Sequence, residues 1–444
     1  MLQILNPEWL LTMQGAIRME TGLALLLEND KIKAVEPLET LTQQHPQASV
    51  VHLPGEVLMP GLINTHAHAA MNLFRGIGDD LPLMRWLQER IWPLEAAMVS
   101  DEFVFDGTVL ACAEMLAGGV TTFNDMYFFP AAAVRAAQAM GCRIAAGITT
   151  IEFPTAYASD AADYLTKGLA ARDQFKGEAN VHWSLAPHAP YTVSDATFKD
   201  VLKLADQLDL PIHLHLAETA HEIEDAVSRT GLRPVERLNQ LGLINERLLA
   251  VHGVHLNESE LALLAQRGAS LAHCPASNLK LASGFAPVAQ ALEKGLNVGI
   301  GTDSAASNNK IDMFHETRLA SLLAKGLSGK ADDMPAATTL HCATLGAAKA
   351  IGLDDLIGSV SIGKQADLIS VRISKDACSQ PVGNLLSHLV YVADRTDVQN
   401  VWVAGSRVVE NRQLRGRSNA LTQETLLNRV PLWQTRFQDA LSSI

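Results

Sequence analysis

The sequence predicts an α/β protein in which a (β/α)8 TIM-type barrel carries a small β-sandwich domain built from both ends of the chain. Between about residues 58 and 304, apolar segments rich in β-forming residues recur at regular intervals, and a helix-length stretch rich in Ala and Leu follows each. This alternation is typical of parallel β/α units. Polar residues end the apolar segments, as expected where barrel strands open onto an active-site mouth.

Eight segments carry the alternation, and eight parallel strands close a TIM-type barrel. In chain order they read VLMPGLINTHAH, GVTTFNDMYF, RIAAGITTIEF, VHWSLAPHAPY, LPIHLHLAET, LLAVHGVHL, ASLAHCPASN and LNVGIGTDS. The polar residues at their ends are His66, Asp125, Glu152, His188, Glu218, His255, Ser277 and Asp303. Because the carboxyl ends of barrel strands meet at one mouth, we expect these side chains to converge there.

Short strand-like segments with turn residues lie outside the barrel block. They read LALLLENDKIKAV near the start, and GSVSIGKQADLISVRI and VQNVWVAGSRVVENRQL near the end. Gly, Asn and Asp join these segments in the manner of hairpin turns, so we expect the two ends of the chain to share a small sheet. The predicted division is residues 1–58 and 367–444 for the small domain and residues 59–366 for the barrel.

The end of the chain has the spacing of a terminal helix, from about Thr422 to Ser443. Its apolar residues share one side of that helix, which predicts packing against the rest of the protein. These residues are Leu426, Val430, Trp433 and Phe437.

The composition excludes several classes of protein. Apolar residues make up 48% of the 444 residues, enough for a large core, and no apolar run approaches the roughly 18 residues of a membrane-spanning helix. The formal net charge of −13 opposes binding to the phosphate backbone of a nucleic acid. Five scattered cysteines without a CxxC pair predict neither a disulfide framework nor a cysteine metal site. We therefore expect a cytoplasmic protein without a membrane or nucleic-acid partner.

Three histidines and one aspartate form the strongest candidate site. His66 and His68 are alternate residues at the end of the first barrel strand, so their rings point the same way. His215 ends the fifth strand and Asp303 follows the eighth, within GTDS. Taken alone, an HxH pair is also consistent with an ordinary polar strand end that binds no metal. Three imidazoles and one carboxylate at one barrel mouth instead predict a catalytic site for one divalent ion, in which zinc is the preferred metal.

Five motifs resemble those of the amidohydrolase superfamily, and the resemblance extends over nearly the whole chain. They are PGLINTHAH, HLHLAET, HGVHL, AHCPASNLKL and GTDSAASNN. Members of the superfamily with two metals bridge them through a carboxylated lysine on strand four. The corresponding segment here, VHWSLAPHAPYTV, contains no lysine. The resemblance therefore implies a hydrolase with a single metal ion, most simply Zn²⁺.

Three residues are candidates for the proton transfers of such a hydrolase. Glu218 stands three residues after His215, where deaminases of the superfamily place their proton-shuttling glutamate, although a carboxylate at a helix start is the plainer interpretation. His252 ends strand six and could accept a proton from the attacking water; its plainer interpretation is a core histidine. Asp303 could combine its ligand role with that of a base.

Within the superfamily, the chain resembles the deaminases of 5'-methylthioadenosine and S-adenosylhomocysteine. In LMRWLQERIWPLE the resemblance places the glutamate that binds the ribose hydroxyls at Glu95 and a pocket tryptophan at Trp86. In APHAPY it places a substrate-contacting histidine at His188, and we expect Glu218 to contact the substrate as well. The plainer interpretations are a solvated helix charge for Glu95, a core aromatic for Trp86 and a structural role for His188. The resemblance implies a small nucleoside substrate and a homo-oligomer.

One departure from the family pattern bears on the substrate. Members that accept S-adenosylhomocysteine can hold its amino-acid carboxylate with arginines after strand three, but no Arg occurs between Arg143 and Arg172. Because a carboxylate is best bound by the guanidinium fork, 5'-methylthioadenosine is the favoured substrate. S-Adenosylhomocysteine and adenosine stay open as further substrates, since another loop or subunit could supply a cation.

Two other functions remain compatible with the sequence. One is a different ring hydrolase of the superfamily, such as a guanine or cytosine deaminase or a triazine hydrolase, since the metal site alone does not separate these. The other is a scaffold of the same fold that has lost catalysis. Evidence against the scaffold is the intact set of candidate ligands and proton-transfer residues, His66, His68, His215, Glu218, His252 and Asp303.

Overall fold

The computed structural model describes residues 2–377, 379–415, 425 and 428–443. Its strands fall into three groups along the chain. The first group is β1 (Leu2–Leu11), β2 (Met19–Glu20), β3 (Ala24–Glu28), β4 (Lys31–Glu36) and β5 (Ser49–Pro60). The second is β6 (Leu62–Ala67), β7 (Val120–Asp125), β8 (Arg143–Thr150), β9 (Val181–Pro187), β10 (Ile212–Leu216), β11 (Leu248–His252), β12 (Ser270–His273) and β13 (Asn297–Ile300). The third is β14 (Leu368–Arg372), β15 (Val398–Val403), β16 (Ser406–Glu410) and β17 (Gln413–Leu414).

The second group forms the predicted barrel. Strands β6 to β13 are hydrogen-bonded in sequential order, all parallel, and β13 packs beside β6. Just beyond these two strands, Asp303 N donates to His66 O at 3.0 Å. The approach is close enough to require glycine, because a Cβ on Gly301 would lie 2.9 Å from His66 N. The (β/α)8 prediction is confirmed.

Helices follow the barrel strands, and the local sequence explains where several of them begin. Several begin at a side chain that caps the first turn, as Ser194, Thr219 and Asn257 do. The helices are α1 (Leu38–Gln44), α2 (Leu83–Trp86), α3 (Trp92–Met98), α4 (Asp101–Ala117), α5 (Pro130–Met140), α6 (Ala161–Gln174), α7 (Asp195–Leu208), α8 (Ala220–Thr230), α9 (Pro234–Gln240), α10 (Glu258–Gln266), α11 (Pro275–Lys280), α12 (Val288–Glu293), α13 (Ala305–Asn308), α14 (Met313–Ser328), α15 (Ala336–Cys342), α16 (Leu345–Ala350), α17 (Leu385–Tyr391) and α18 (Val430–Ser443). Two 3-10 turns (Ala69–Phe74 and Arg395–Asp397) and a π-helical turn (Leu87–Ile91) complete the set. None of the described helices has the length and apolarity needed to cross a membrane.

The two ends of the chain share one sheet, as predicted. Its nine strands run in the order β17-β16-β15-β14-β5-β1-β3-β4, with β2 on β1. The long strand β5 joins the two halves, because it pairs in parallel with β1 and antiparallel with β14. Apolar residues from both ends fill one cluster at this junction, among them Leu5, Leu58, Leu368 and Trp402. Hydrogen bonds thus unite all nine strands in a single mixed sheet.

The terminal helix packs as its apolar spacing predicted. Trp433 and Phe437 are buried, and Trp433 Nε1 donates to the carboxylate of Asp106 on α4 at 2.9 Å. The ring of Trp433 meets Phe103 edge-on. Leu426, which belonged to the same predicted stripe, lies outside the described residues.

A buried ion pair ties the barrel to the segment that leads into β14. Arg143 begins β8 and is fully buried; its Nε and Nη2 each lie 2.9 Å from an oxygen of Asp367. Asp367 also accepts a hydrogen bond from Ala404 N at 2.7 Å. Both charges are therefore satisfied in a place that excludes water, and removal of one leaves the other uncompensated.

Asp367→Asn is expected to lower the free energy of unfolding by about 3–5 kcal/mol, because Arg143 keeps its charge without a counter-ion. Urea unfolding followed by circular dichroism measures the change. The matched control is Asp225→Asn, which breaks an exposed pair with Arg229 and should cost less than about 1 kcal/mol. Equal effects of the two substitutions would contradict the role assigned to the buried pair.

Candidate metal centre and active site

The structure brings together the four residues that the sequence proposed as ligands. His66 lies on β6, His68 follows that strand, His215 lies on β10 and Asp303 follows β13. Asp303 Oδ1 is 3.4 Å from the Nε2 atoms of both His66 and His68. The Nε2 atoms of His66 and His215 are 3.2 Å apart. His66 is fully buried, and the other three are buried or nearly so.

The hydrogen bonds behind these rings leave lone pairs free at the centre. His68 Nδ1 and His215 Nδ1 bond to the backbone carbonyls of Met126 and His188. A carbonyl only accepts, so each Nδ1 carries the proton and each Nε2 presents a lone pair. Burial lowers the pKa of His66 to about 4 and the pKa of His215 well below its usual value, which keeps both rings neutral.

The spacing and chemistry of these atoms fit a divalent ion. Around a tetrahedral ion with bonds of about 2.1 Å, neighbouring ligand atoms lie roughly 3.4 Å apart, which matches the 3.2–3.4 Å between the donor atoms here. Three neutral imidazoles and one carboxylate are a zinc-type donor set. His252 also lies within reach, in a second group with His66 and His215. Its geometry is therefore compatible with both a ligand role and the predicted proton-acceptor role.

Serine side chains that the sequence analysis did not assign to the site hold Asp303. Its Oδ2 accepts hydrogen bonds from Ser277 Oγ at 2.6 Å and Ser307 Oγ at 2.8 Å, and its Oδ1 accepts from Ser304 N at 2.7 Å. Asp303 has a left-handed backbone (φ +60°), which is strained for a residue other than glycine. The sequence predicted that Ser277 faces the barrel mouth, but serines are common beside turns, and nothing in the local sequence paired Ser277, Ser304 or Ser307 with the Asp303 carboxylate.

Glu218 and His252 face each other across the site. Glu218 Oε2 lies 3.8 Å from His252 Nε2, and Ser283 Oγ donates to Glu218 Oε1 at 3.4 Å. His252 Nδ1 is 2.8 Å from Asn278 Oδ1, which orients the ring with Nε2 towards Glu218. Burial raises the pKa of Glu218, because desolvation disfavours the charged form. A buried carboxyl with a raised pKa suits a proton donor.

A cavity of about 640 Å³ opens above the donor atoms. Four residues proposed to contact the substrate, Trp86, Glu95, His188 and Glu218, all line it. Tyr127 Oη donates to Glu95 Oε1 at 2.8 Å, and burial raises the pKa of Glu95 to about 7. Glu95 is thus a partly buried carboxyl group of the cavity wall and not a solvated helix charge. Tyr127 was missed, since its role depends on a contact with a distant helix.

One end of this cavity is apolar. The loop after β8 contributes four apolar residues, Ile151, Phe153, Pro154 and Ala156, together with Thr155, and the ring of Trp92 packs edge-on against that of Phe153. Among the described residues that line the cavity there is no lysine or arginine. This end therefore suits a neutral apolar group better than a carboxylate.

Not every polar strand end reaches the cavity. Asp125 accepts a hydrogen bond from Ala69 N at 2.7 Å, directly after His68. Glu152 points away and accepts from Ser194 N and Thr197 Oγ1 at the start of α7. Some strand-end residues thus face the cavity, whereas others form hydrogen bonds that hold the surrounding loops.

Comparison with known proteins identifies the family of this chain. The sequence model of the Amidohydrolase family matches residues 57–408. The chain belongs to the amidohydrolase family. The chain is 42% identical over 435 residues to a 5-methylthioadenosine/S-adenosylhomocysteine deaminase of Saccharophagus degradans, covering 98% of this chain and 96% of the relative. The resemblance inferred from the motifs is therefore confirmed.

Two solved structures share the architecture of this chain. A zinc-bound crystal structure of an adenosine deaminase from Xanthomonas campestris superimposes with a TM-score of 0.95, at 44% identity and with 98% of each chain covered. An atrazine chlorohydrolase of Arthrobacter aurescens, crystallised with zinc, superimposes with a TM-score of 0.87 at 22% identity, covering 97% of this chain and 99% of that chain. The second comparison supports the fold alone.

Proposed function

We propose that the protein hydrolytically deaminates an adenine nucleoside, with 5'-methylthioadenosine as the preferred substrate and 5'-methylthioinosine and ammonia as products. The observation that carries this proposal is one cavity in which a zinc-type donor set, the proton donor Glu218, the partly buried carboxyl group of Glu95 and an apolar end occur together. The similar deaminases support the same reaction. S-Adenosylhomocysteine and adenosine are further candidate substrates.

His66, His68, His215 and Asp303 would hold one divalent ion, Zn²⁺. Such an ion supplies Lewis acidity, which makes water nucleophilic near neutral pH. The residues around the donor set then divide the proton transfers. Glu218 protonates the ring nitrogen beside the carbon that water attacks, since its raised pKa keeps a proton available. The proton that the attacking water loses passes to Asp303, and His252 accepts a hydrogen bond from the same water.

Collapse of the tetrahedral carbon requires a proton on the departing amino group. Asp303 can return the proton it accepted, because Ser277, Ser307 and Ser304 N fix its carboxylate in one orientation. Ammonia then leaves, the hydroxyl group on the same carbon returns a proton to Glu218, and the ring carbonyl forms. The protons balance over these steps, and the net reaction is hydrolysis of the C–N bond.

Other cavity residues would bind the nucleoside. Glu95, which accepts a hydrogen bond from Tyr127, would accept hydrogen bonds from the two ribose hydroxyls. His188 and Trp86 would contact the substrate from the cavity wall. The apolar end formed after β8 would take the 5' methylthio group, for which Phe153 and Trp92 offer sulfur–aromatic contacts. The homo-oligomer expected from the family resemblance stays a prediction.

Ammonia release across a panel of substrates tests the proposed function. The panel contains 5'-methylthioadenosine, adenosine, S-adenosylhomocysteine, guanine, cytosine and a chlorotriazine. We expect the highest kcat/KM with 5'-methylthioadenosine. S-Adenosylhomocysteine should be at least about tenfold poorer, because its carboxylate would enter an apolar region without a cation. Preference for guanine, cytosine or the triazine would replace the nucleoside assignment, and no turnover by metal-loaded protein would favour a scaffold.

Glu95→Ala is expected to raise KM for a ribonucleoside about 10- to 100-fold, since the hydrogen bonds from the 2' and 3' hydroxyls to the Glu95 carboxyl group are lost. The corresponding 2'-deoxy nucleoside loses fewer contacts and should be affected less. Steady-state kinetics on the two substrates measures the difference. If both nucleosides are impaired equally, Glu95 does not bind the ribose diol.

A further inference from the structure

The buried carboxylate of Glu222 contacts the backbone of Glu218 and takes no part in the proposed proton transfers. Glu222, in the first turn of α8, is 6% exposed. Its Oε1 accepts a hydrogen bond from Ala217 N at 2.9 Å, and its Oε2 accepts one from Glu218 N at 2.8 Å. One side chain therefore satisfies two consecutive buried backbone donors.

These two donors belong to the turn that projects Glu218 into the cavity. Ala217 has a left-handed backbone (φ +55°), a conformation that costs free energy in alanine and needs outside support. On the other side of this turn, the carbonyl of Leu216 accepts a hydrogen bond from Gly253 N at 3.1 Å. The carbonyl of Ala217 accepts one from His255 N at 2.8 Å. The segment after His252 and the carboxylate of Glu222 thus hold the turn between them.

The chemistry of the contact requires a carboxylate. Each oxygen of Glu222 accepts one N–H, whereas an amide of the same size has one acceptor and would turn its NH₂ group towards the second donor. Thr219 Oγ1 accepts from Glu222 N at 3.2 Å, so the helix cap sets the direction from which Glu222 reaches back. A capping glutamate usually bonds to the cap residue itself; here Glu222 reaches one and two residues further.

We propose that Glu222 is a positioning residue that fixes the Glu218 carboxyl for proton transfer, an inference that rests on the proposed hydrolytic function. It acts through the backbone of Ala217 and Glu218 and touches neither the substrate nor the reacting atoms. Its effect therefore falls on the chemical step. Metal binding depends on His215, which is fixed separately by β10 and by the carbonyl of His188.

The first test is Glu222→Gln. We expect kcat to fall about 10- to 100-fold, with metal content unchanged and KM within about threefold of wild type. Glu224→Gln is the matched control, because it makes the same change two residues away on an exposed position of α8; it should behave as wild type. Wild-type kcat in Glu222→Gln would overturn the proposal.

A double-mutant cycle separates positioning from general stability. In a Glu218→Gln background, Glu222→Gln should lower kcat by less than about threefold, because the group that it positions no longer donates a proton. A full 10- to 100-fold loss in that background would show an independent structural role and overturn the proposal. If Glu222→Gln does not fold, the same cycle is measured with Glu222→Asp. A wild-type protein that turns over no panel substrate would refute the proposed function instead.

Discussion

Glu218→Gln is expected to lower kcat by about 10²- to 10⁴-fold while the metal and the substrate still bind. Gln has nearly the size of Glu, so the cavity keeps its shape. It cannot donate and accept a proton in turn, and the ring nitrogen therefore stays unprotonated when water attacks. Burial of Glu218 strengthens the expectation, because its side chain has little contact with solvent that could replace the missing donor.

Three measurements check this result together: single-turnover kinetics, metal content and the affinity for the nucleoside by calorimetry. Glu224→Gln again supplies the control for a glutamate lost from the same helix. Turnover within a fewfold of wild type in Glu218→Gln would reject the proton-transfer role. Loss of metal along with turnover would assign Glu218 a part in holding the ion.

His66→Ala is expected to abolish both metal binding and turnover. His66 belongs to both groups of candidate ligands, and its Nε2 lies within 3.4 Å of donor atoms on Asp303 and His215. The substitution removes the most deeply buried of the four proposed ligands. Without the ion, water is no longer acidic near neutral pH, and we expect activity to fall by more than about 10⁴-fold.

Elemental analysis of the purified variant measures the metal directly. Chelation of the wild type should reproduce the loss and lower its melting temperature, because a ligand that binds only the folded state stabilises it; added Zn²⁺ should restore the wild type but not the variant. The control is His221→Ala, which removes an exposed histidine. A metal-loaded, active His66→Ala would refute the proposed ligand set.

Much of the fold could be predicted because its signals are local. A strand such as β10 is a short apolar run, and the helix after it begins at Thr219, whose hydroxyl caps the first turn. Eight repeats of this unit leave few alternatives to a barrel. The proposed ligands were identified for the same reason: period-two spacing puts His66 and His68 on one face, and the order of the strands predicts that their ends meet.

The supporting contacts could not be predicted in this way. Ser277 and Ser307 meet Asp303 from two separate helices, and Asn278 meets His252 across 26 residues of chain. Such hydrogen bonds depend on distances within a few tenths of an ångström, and serine, asparagine and glutamate occur in ordinary turns and caps throughout the sequence. Sequence spacing carries no information at that scale.

The sequence by itself determined the barrel, the shared terminal sheet, the family and the residue types that the strands deliver to the barrel mouth, because each depends on patterns along the chain. The tertiary structure alone decided which of these residues face one cavity: Glu95 and His188 line it, whereas Asp125 and Glu152 hold loops. It also decided that Glu218 is buried beside His252 and anchored by Glu222. The reason is physical, since burial and hydrogen bonding are properties of groups brought together from distant strands, and they exist only once the barrel has closed.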